Sequence, residues 1–191
     1  MWIRDSLPKH LTNVRAVLYG YDTRLHDSIS YQSIPDLANS LINHLRTYGW
    51  DTATAKPIAF LAHDLGGLVL REALVQLDQT LDKSYKHLLG LIRGAVFFGV
   101  PNLGMEQKHL MALVRDNPNE ALIEDIARNS NYLHTLNEQF DEATFKDELR
   151  CFWAFETCKS PTLLVRIHHL HTFWITLLTR DIRYVKMGQL T

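Results

Sequence analysis

Four short runs of apolar residues are the clearest pattern along the chain. They lie at 14–22, 57–62, 93–101 and 150–156, and each is bounded by turn-forming or charged residues. A strand of a parallel sheet is covered on both faces and therefore carries apolar side chains at successive positions. The four runs predict four strands, the first two of them buried.

Between these runs, apolar residues recur every three or four positions, as expected of amphipathic helices. One helix is predicted from Ile34 to Tyr48, with Ser33 as its N-cap and Gly49 as its end. A second runs from Leu65 to about Leu77, and the segment between it and the third strand is interpreted as a polar linker. Helical spacing resumes from 106 to 149. Strands alternating with helices predict an α/β fold with a mostly parallel sheet flanked by helices.

The composition fits one globular domain. The chain has 191 residues, 46% of them hydrophobic, which is enough for one buried core. Its 20 Lys and Arg residues are balanced by 21 Asp and Glu residues, so no excess of positive charge is present to hold a phosphate backbone. We therefore do not expect nucleic acid as a partner.

The cysteines and the first residues indicate an intracellular, cytoplasmic protein. Cys151 and Cys158 have neither the spacing of a zinc site nor that of a disulfide framework. Residues 1–10 hold a charge pair and a proline where a secretory signal would be apolar. The apolar-leaning stretch 167–178 has 12 residues, whereas a membrane span needs roughly 20. Association with a membrane surface stays open.

The segment Ile58–Gly67 carries the candidate chemistry. It has the sequence IAFLAHDLGG, an apolar strand that passes through His63 and Asp64 directly into a helix. Such a sharp turn places the corner side chain at the helix N-terminus, where backbone N–H groups can hold an oxyanion. Ala62 and Gly66 supply the small residues that the G-x-S-x-G nucleophile elbow needs. The pattern predicts a nucleophile elbow with Asp64 in place of serine.

Five motifs follow one another in a fixed order. They are Trp2–Pro8 (WIRDSLP), Arg15–Asp22 (RAVLYGYD), Phe60–Val69 (FLAHDLGGLV), Gly94–Gly104 (GAVFFGVPNLG) and Phe155–Thr157 (FET). As a set they resemble the serine esterase or lipase-like α/β-hydrolases, which include the serine-active-site-containing proteins and N-terminal domains of fungal nucleotide-binding receptors. The resemblance covers about residues 1 to 162 and implies an α/β-hydrolase fold.

The sequence departs from the family pattern at three places. The elbow residue of the family is a serine, whereas here it is Asp64. The family begins with a strand and an H-G-x-x-G loop that lends oxyanion donors, and this chain starts after that point. The family's catalytic histidine has no counterpart, because the sequence after Pro161 no longer follows the pattern. We therefore expect a partial α/β-hydrolase domain at 1–162, lacking N-terminal strands, and a divergent tail at 163–191.

Asp64 allows two interpretations. Haloalkane dehalogenases and epoxide hydrolases use an aspartate at the elbow, which attacks carbon to form an ester that a histidine-activated water then hydrolyses. Alternatively, the carboxylate preserves the fold and ends acyl transfer, since a helix N-terminus stabilises a negative charge by about 0.3–1 kcal/mol. We favour the second interpretation, because two of the supporting parts are not located in the sequence.

Three further residues belong to the predicted site. Glu156, at the end of the fourth strand, is either a triad acid or a solvated carboxylate, and its position leaves both open. The backbone N–H of Leu65 is the predicted oxyanion donor. His63 is expected to pack against or orient the turn, with its side chain directed away from that of Asp64.

The tail offers three histidines, His168, His169 and His171. One of them could replace the missing base if the tail folds back over the sheet. No nearby cysteine or carboxylate completes a ligand set with zinc spacing, so we predict neither a metal nor another cofactor. The helical segment 106–149 is either a cap over the pocket or ordinary packing helices, and its pattern favours packing.

Three hypotheses about function follow. The resemblance implies first a catalytically impaired esterase- or lipase-like domain, a pseudoenzyme that serves as a recognition or regulatory module. Its partners would be a small ester or lipid-like ligand and other domains of a larger receptor-type protein. The second is an active hydrolase, either an esterase completed from elsewhere or an enzyme with Asp64 as covalent nucleophile. The third is a gene fragment that does not fold stably alone. We favour the first.

Overall fold

A computed structural model describes most of the chain. The described residues are 5, 7–11, 13–21, 30–106, 111, 114, 117–155, 175–179 and 185–187, the last two ranges by their backbone. Glu156 and the three tail histidines lie outside the described residues.

The elements alternate between strands and helices as the apolar pattern predicts. In chain order they are α1 (Leu7–His10), β1 (Arg15–Tyr19), α2 (Ile34–Thr47), β2 (Ile58–His63), α3 (Leu65–Gln79), α4 (Lys83–Leu91), β3 (Ile92–Phe98), α5 (Glu120–Asp125), α6 (Asn131–Glu142), a 3₁₀ turn (Thr144–Asp147), β4 (Arg150–Ala154), β5 (Ile175–Thr179) and β6 (Val185–Met187). All four predicted strands are present.

The fold is α/β, and the described strands form one six-stranded, mostly parallel sheet flanked by helices. Strands β2, β3 and β4 are parallel neighbours. The complete order among the described strands is β4-β3-β2-β5-β1-β6, in which β5 lies between β2 and β1 and is antiparallel to both. Strand β6 is parallel to β1 on its outer side. Strands β5 and β6 both lie in the tail at 163–191, for which the sequence predicts no structure. This tail thus contributes two strands to the sheet.

One face of the sheet forms the core. Val17, Phe60 and Phe97 point to this face and are at most 1% exposed. Helix α2 covers it at Tyr19, whose ring lies 5.5 Å from that of His44. Helix α6 covers it at Phe97, in edge contact with Phe140 at 6.3 Å, and α3 packs against β2. The sheet therefore lies under three helices on this side.

Local chemistry fixes the position of α2. The Ser33 hydroxyl accepts a hydrogen bond from the N–H of Asp36, and the Asp36 carboxylate accepts one from the N–H of Ser33 at 2.9 Å. This reciprocal pair is a capping box, which satisfies two N–H groups that the first helical turn leaves without partners. The bonds from Ser33 lower the pKa of Asp36. Gly49, with φ of 80°, follows the helix as predicted.

The polar linker predicted before β3 is wrong in part, because residues 83–91 form helix α4. Asp82 caps it by accepting a hydrogen bond from the N–H of Ser84 at 2.8 Å. Only Leu88 of this helix is buried. A helix with so narrow an apolar side leaves little periodicity in the sequence, which explains the error.

Candidate functional site

Asp64 occupies the corner between β2 and α3, as the sequence predicts. Its backbone has φ of 51° and ψ of −127°, a conformation that residues other than glycine rarely adopt. Two hydrogen bonds hold it there: the Asp64 N–H donates to the Phe98 carbonyl at 2.9 Å, and the Gly67 N–H donates to the Asp64 carbonyl at 2.9 Å. We call this feature the Asp64 corner. The side chain is half-buried.

Gly67, in the first turn of α3, is required by close packing. A Cβ atom on Gly67 would overlap the side chain of Val100, lying 2.9 Å from its Cγ1. Val100 belongs to the loop that follows β3, so the first turn of α3 touches this loop directly. Because the helix approaches so closely, the corner is rigidly placed between the ends of β2 and β3.

The N-terminus of α3 supplies donors at the corner. The first N–H groups of a helix have no acceptor within the helix, and its dipole favours negative charge there. Leu65 and Gly66 are the first two residues of this 15-residue helix. The Asp64 side chain makes no capping hydrogen bond to the first turn. The role of the Leu65 N–H as oxyanion donor stays a prediction.

Tyr21, two residues after β1, was not among the residues predicted from the sequence to form the site. Its hydroxyl is buried and has no hydrogen-bond partner among the described residues. Burial, then the charge of Asp64 and the neighbouring Tyr19, raise the pKa of Tyr21 well above its usual value. The hydroxyl therefore stays protonated and can donate a hydrogen bond. Its signal in the sequence is its place within the RAVLYGYD motif.

The other predicted site residues are only partly placed. His63, the last residue of β2, is exposed, whereas Asp64 is half-buried. The predicted triad acid Glu156 follows the last described residue after β4. In the part of the chain that the structure describes, no cluster of three or more His, Cys, Asp or Glu side chains could hold a metal ion. Likewise, none of the described helices is long and apolar enough to cross a membrane.

Known proteins offer a distant similarity. No protein-family model matches the chain, and no solved structure matches it. Protein SERAC1 of Homo sapiens is 25% identical over 176 residues, which cover 89% of this chain and 26% of that protein. Protein SERAC1 of Danio rerio is 26% identical over 147 residues, which cover 73% of this chain and 22% of that protein. The chain thus spans about a quarter of the length of these curated relatives, and it is a distant homologue of SERAC1 over most of its own length.

Proposed function

We propose that the chain is an esterase- or lipase-like α/β-hydrolase domain that has lost acyl transfer and binds a small ester or lipid-like ligand at the Asp64 corner. The observation that carries the proposal is the corner itself. A residue other than glycine at φ of 51° and ψ of −127° stores strain of about 1–3 kcal/mol, and such strain is concentrated at functional sites. Without a ligand, the strain in this turn would destabilise the fold and serve no function.

The chemistry of aspartate explains the loss of acyl transfer. A serine alkoxide that attacks an ester exchanges one ester for another of similar energy. A carboxylate that attacks the same carbonyl would form an acid anhydride, which is higher in energy than the ester it replaces. The carboxylate of Asp64 also accepts hydrogen bonds and donates none when ionised. Binding, with the N–H donors at the start of α3 around the ligand oxygen, is the role that this arrangement retains.

The similarity to SERAC1 proteins supports a relationship to hydrolases. It extends over 89% of this chain in one relative and 73% in the other. Since this chain matches only 26% and 22% of those relatives, we also propose that the domain works beside other domains, as a recognition or regulatory module.

The test compares the native chain with Asp64→Ser and Asp64→Ala. Each purified variant is offered short and medium acyl esters and a simple epoxide, and its melting temperature is measured with and without a non-hydrolysable ester analogue. We expect no turnover by the native chain and a ligand-dependent rise in its melting temperature. Ester hydrolysis gained by Asp64→Ser would show that the aspartate alone prevents acyl transfer.

A matched control separates site effects from backbone effects. Asn129 also has a positive φ, 63°, in a turn before α6. Asn129→Ala should alter stability without changing ligand binding. Turnover by the native chain that disappears in Asp64→Ala would overturn the proposal and make Asp64 a covalent nucleophile. A native chain that neither turns over nor binds these compounds would also contradict it.

A further inference from the structure

Helix α3 buries a positive charge two turns after the Asp64 corner. The side chain of Arg71 is 4% exposed. Its Nη1 donates to the side-chain oxygens of Asn102 at 2.8 Å and Asn137 at 2.7 Å. Burial lowers the pKa of Arg71 to about 10, so the group is still charged at neutral pH. The acceptors of these hydrogen bonds are neutral amide oxygens. Among the described residues, no carboxylate contacts the guanidinium directly.

Two aromatic rings complete the environment of the guanidinium. Its central carbon lies 4.6 Å from the ring centre of Phe140 and 5.8 Å from that of Trp153. Trp153 is stacked on Phe97 at 4.3 Å. A planar cation that lies over ring faces gains cation-π attraction, which grows when water is excluded. Such a position suits arginine and not lysine, because only the guanidinium is flat and can donate in a fixed plane.

The hydrogen bonds of Arg71 join the loop after β3 to helix α6. Asn102 belongs to this loop, residues 99–104, which we call the 99–104 loop, and Asn137 belongs to α6. The side-chain nitrogen of Asn137 donates to the backbone carbonyl of Asn102 at 2.9 Å. The three residues therefore form a closed network in which the side chain and backbone of Asn102 are both held.

The 99–104 loop begins at the Asp64 corner. The carbonyl of Phe98, just before the loop, accepts the Asp64 N–H, and Val100 touches the first turn of α3. At its far end, Gly104 has φ of 80° and lies against the backbone of Ala127. The start and the end of the loop are thus fixed by backbone contacts, and its middle is fixed by Arg71.

We propose that Arg71 is a positioning residue for the Asp64 corner: its guanidinium holds the 99–104 loop in place as one wall of the ligand site. This inference rests on the proposed binding function. Arg71 acts through Asn102 and does not itself touch the ligand. A wall fixed before binding lowers the entropy cost of ordering it when the ligand arrives.

Hydrogen exchange of the loop amides tests the network in the native chain, Arg71→Met, Arg71→Lys and Asn102→Ala. Each change removes a hydrogen bond that involves a charged group, so exchange of the 99–104 loop should rise by about tenfold or more. Arg71→Lys should fail to restore protection, because an ammonium cannot hold both amide oxygens in one plane. Asn102→Ala retains the buried arginine and serves if Arg71→Met does not fold.

Arg46 provides the matched control. It lies on α2, 4.5 Å over the ring of Tyr85, and donates to the Tyr85 hydroxyl at 3.0 Å, away from the 99–104 loop. Arg46→Met should leave exchange of the loop unchanged. Native-like protection in Arg71→Lys, or exchange that rises equally throughout α3 and α6, would overturn the proposal, since it would show a need for charge or for general packing only.

A kinetic comparison separates this inference from the proposed function. Where Asp64→Ser hydrolyses a short acyl ester, adding Arg71→Lys should raise KM more than it lowers kcat, because the loop contributes to binding and not to the reaction. If Asp64→Ser hydrolyses nothing, binding of the non-hydrolysable ester analogue to the native chain and to Arg71→Lys replaces the kinetic comparison. A native chain that does not bind the analogue counts against the proposed function, and the exchange measurement still decides whether Arg71 fixes the loop. A loosened loop with unchanged KM would overturn the role of Arg71 in ligand binding.

Discussion

The two faces of the sheet differ in what covers them. On one face, Phe60 and Phe97 are buried under helices α2, α3 and α6. On the other face, Phe98 is 37% exposed and Phe152 is 63% exposed, although each belongs to one of the apolar runs that predict the strands. Burial along β2 consequently alternates from residue to residue. A continuous apolar run therefore permits helices to pack on both faces of a strand. Which of its side chains are buried depends on the faces against which helices actually pack.

The largest expected effect contrasts one phenylalanine from each face. Phe60→Ala should reduce the free energy of unfolding by about 3–5 kcal/mol, because it leaves a cavity under α3. Phe152→Ala should change it by no more than about 0.5 kcal/mol, as for other exposed positions. Urea unfolding followed by circular dichroism measures both. Similar losses at the two positions would show that the second face is also covered in solution.

A smaller effect is expected where α3 meets the 99–104 loop on the covered side. Gly67→Ala should destabilise the fold by about 1–3 kcal/mol, since the new methyl group overlaps Val100. Gly90 in α4 is the matched control, because a Cβ atom there meets nothing within 4 Å. Gly90→Ala should stabilise by about 0.5–1 kcal/mol through helix propensity. A stabilising Gly67→Ala would refute the close approach between α3 and Val100.

The smallest effect concerns pH and the helical layer. Burial, then repulsion from Glu124 and Glu72, raises the pKa of Asp125 to about 6. The unfolded value is about 4, so the folded state holds the extra proton between these two values and loses stability as pH rises from about 4 to about 6. Asp125→Asn removes this dependence. The melting temperature of Asp125→Asn minus that of the native chain should increase from about pH 4 to about pH 6 and then stay constant.

Two outcomes would contradict this pH dependence. A difference in melting temperature that is constant from pH 4 to 7 would show that Asp125 titrates normally. Glu124→Gln removes one source of repulsion and leaves the burial of Asp125 unchanged. It should therefore shift the window to lower pH without abolishing it.

Local signals made much of the fold predictable. Helix α2 follows from its apolar spacing, its Ser33 cap and Gly49, and the Asp64 corner follows from small residues between an apolar run and a helix. Strand β5 could not be predicted in the same way, because its partners β1 and β2 are distant in the sequence. Arg71 was also missed, since a charged residue within a helix is ordinarily solvated and only its neighbours Asn102 and Asn137 reveal its role.

The place of β5 has a consequence for how the chain folds. Strands β1 and β2 are separated in the sheet by β5, and Arg15 is in register with Thr179. Contacts between residues so far apart form slowly, because a long loop must be closed before they contribute stability. During synthesis, β2, β3 and β4 can assemble as soon as they emerge, whereas β1 must wait until its neighbour β5 has been made. Strand β1, although made before β2, β3 and β4, is thus expected to join the sheet after them.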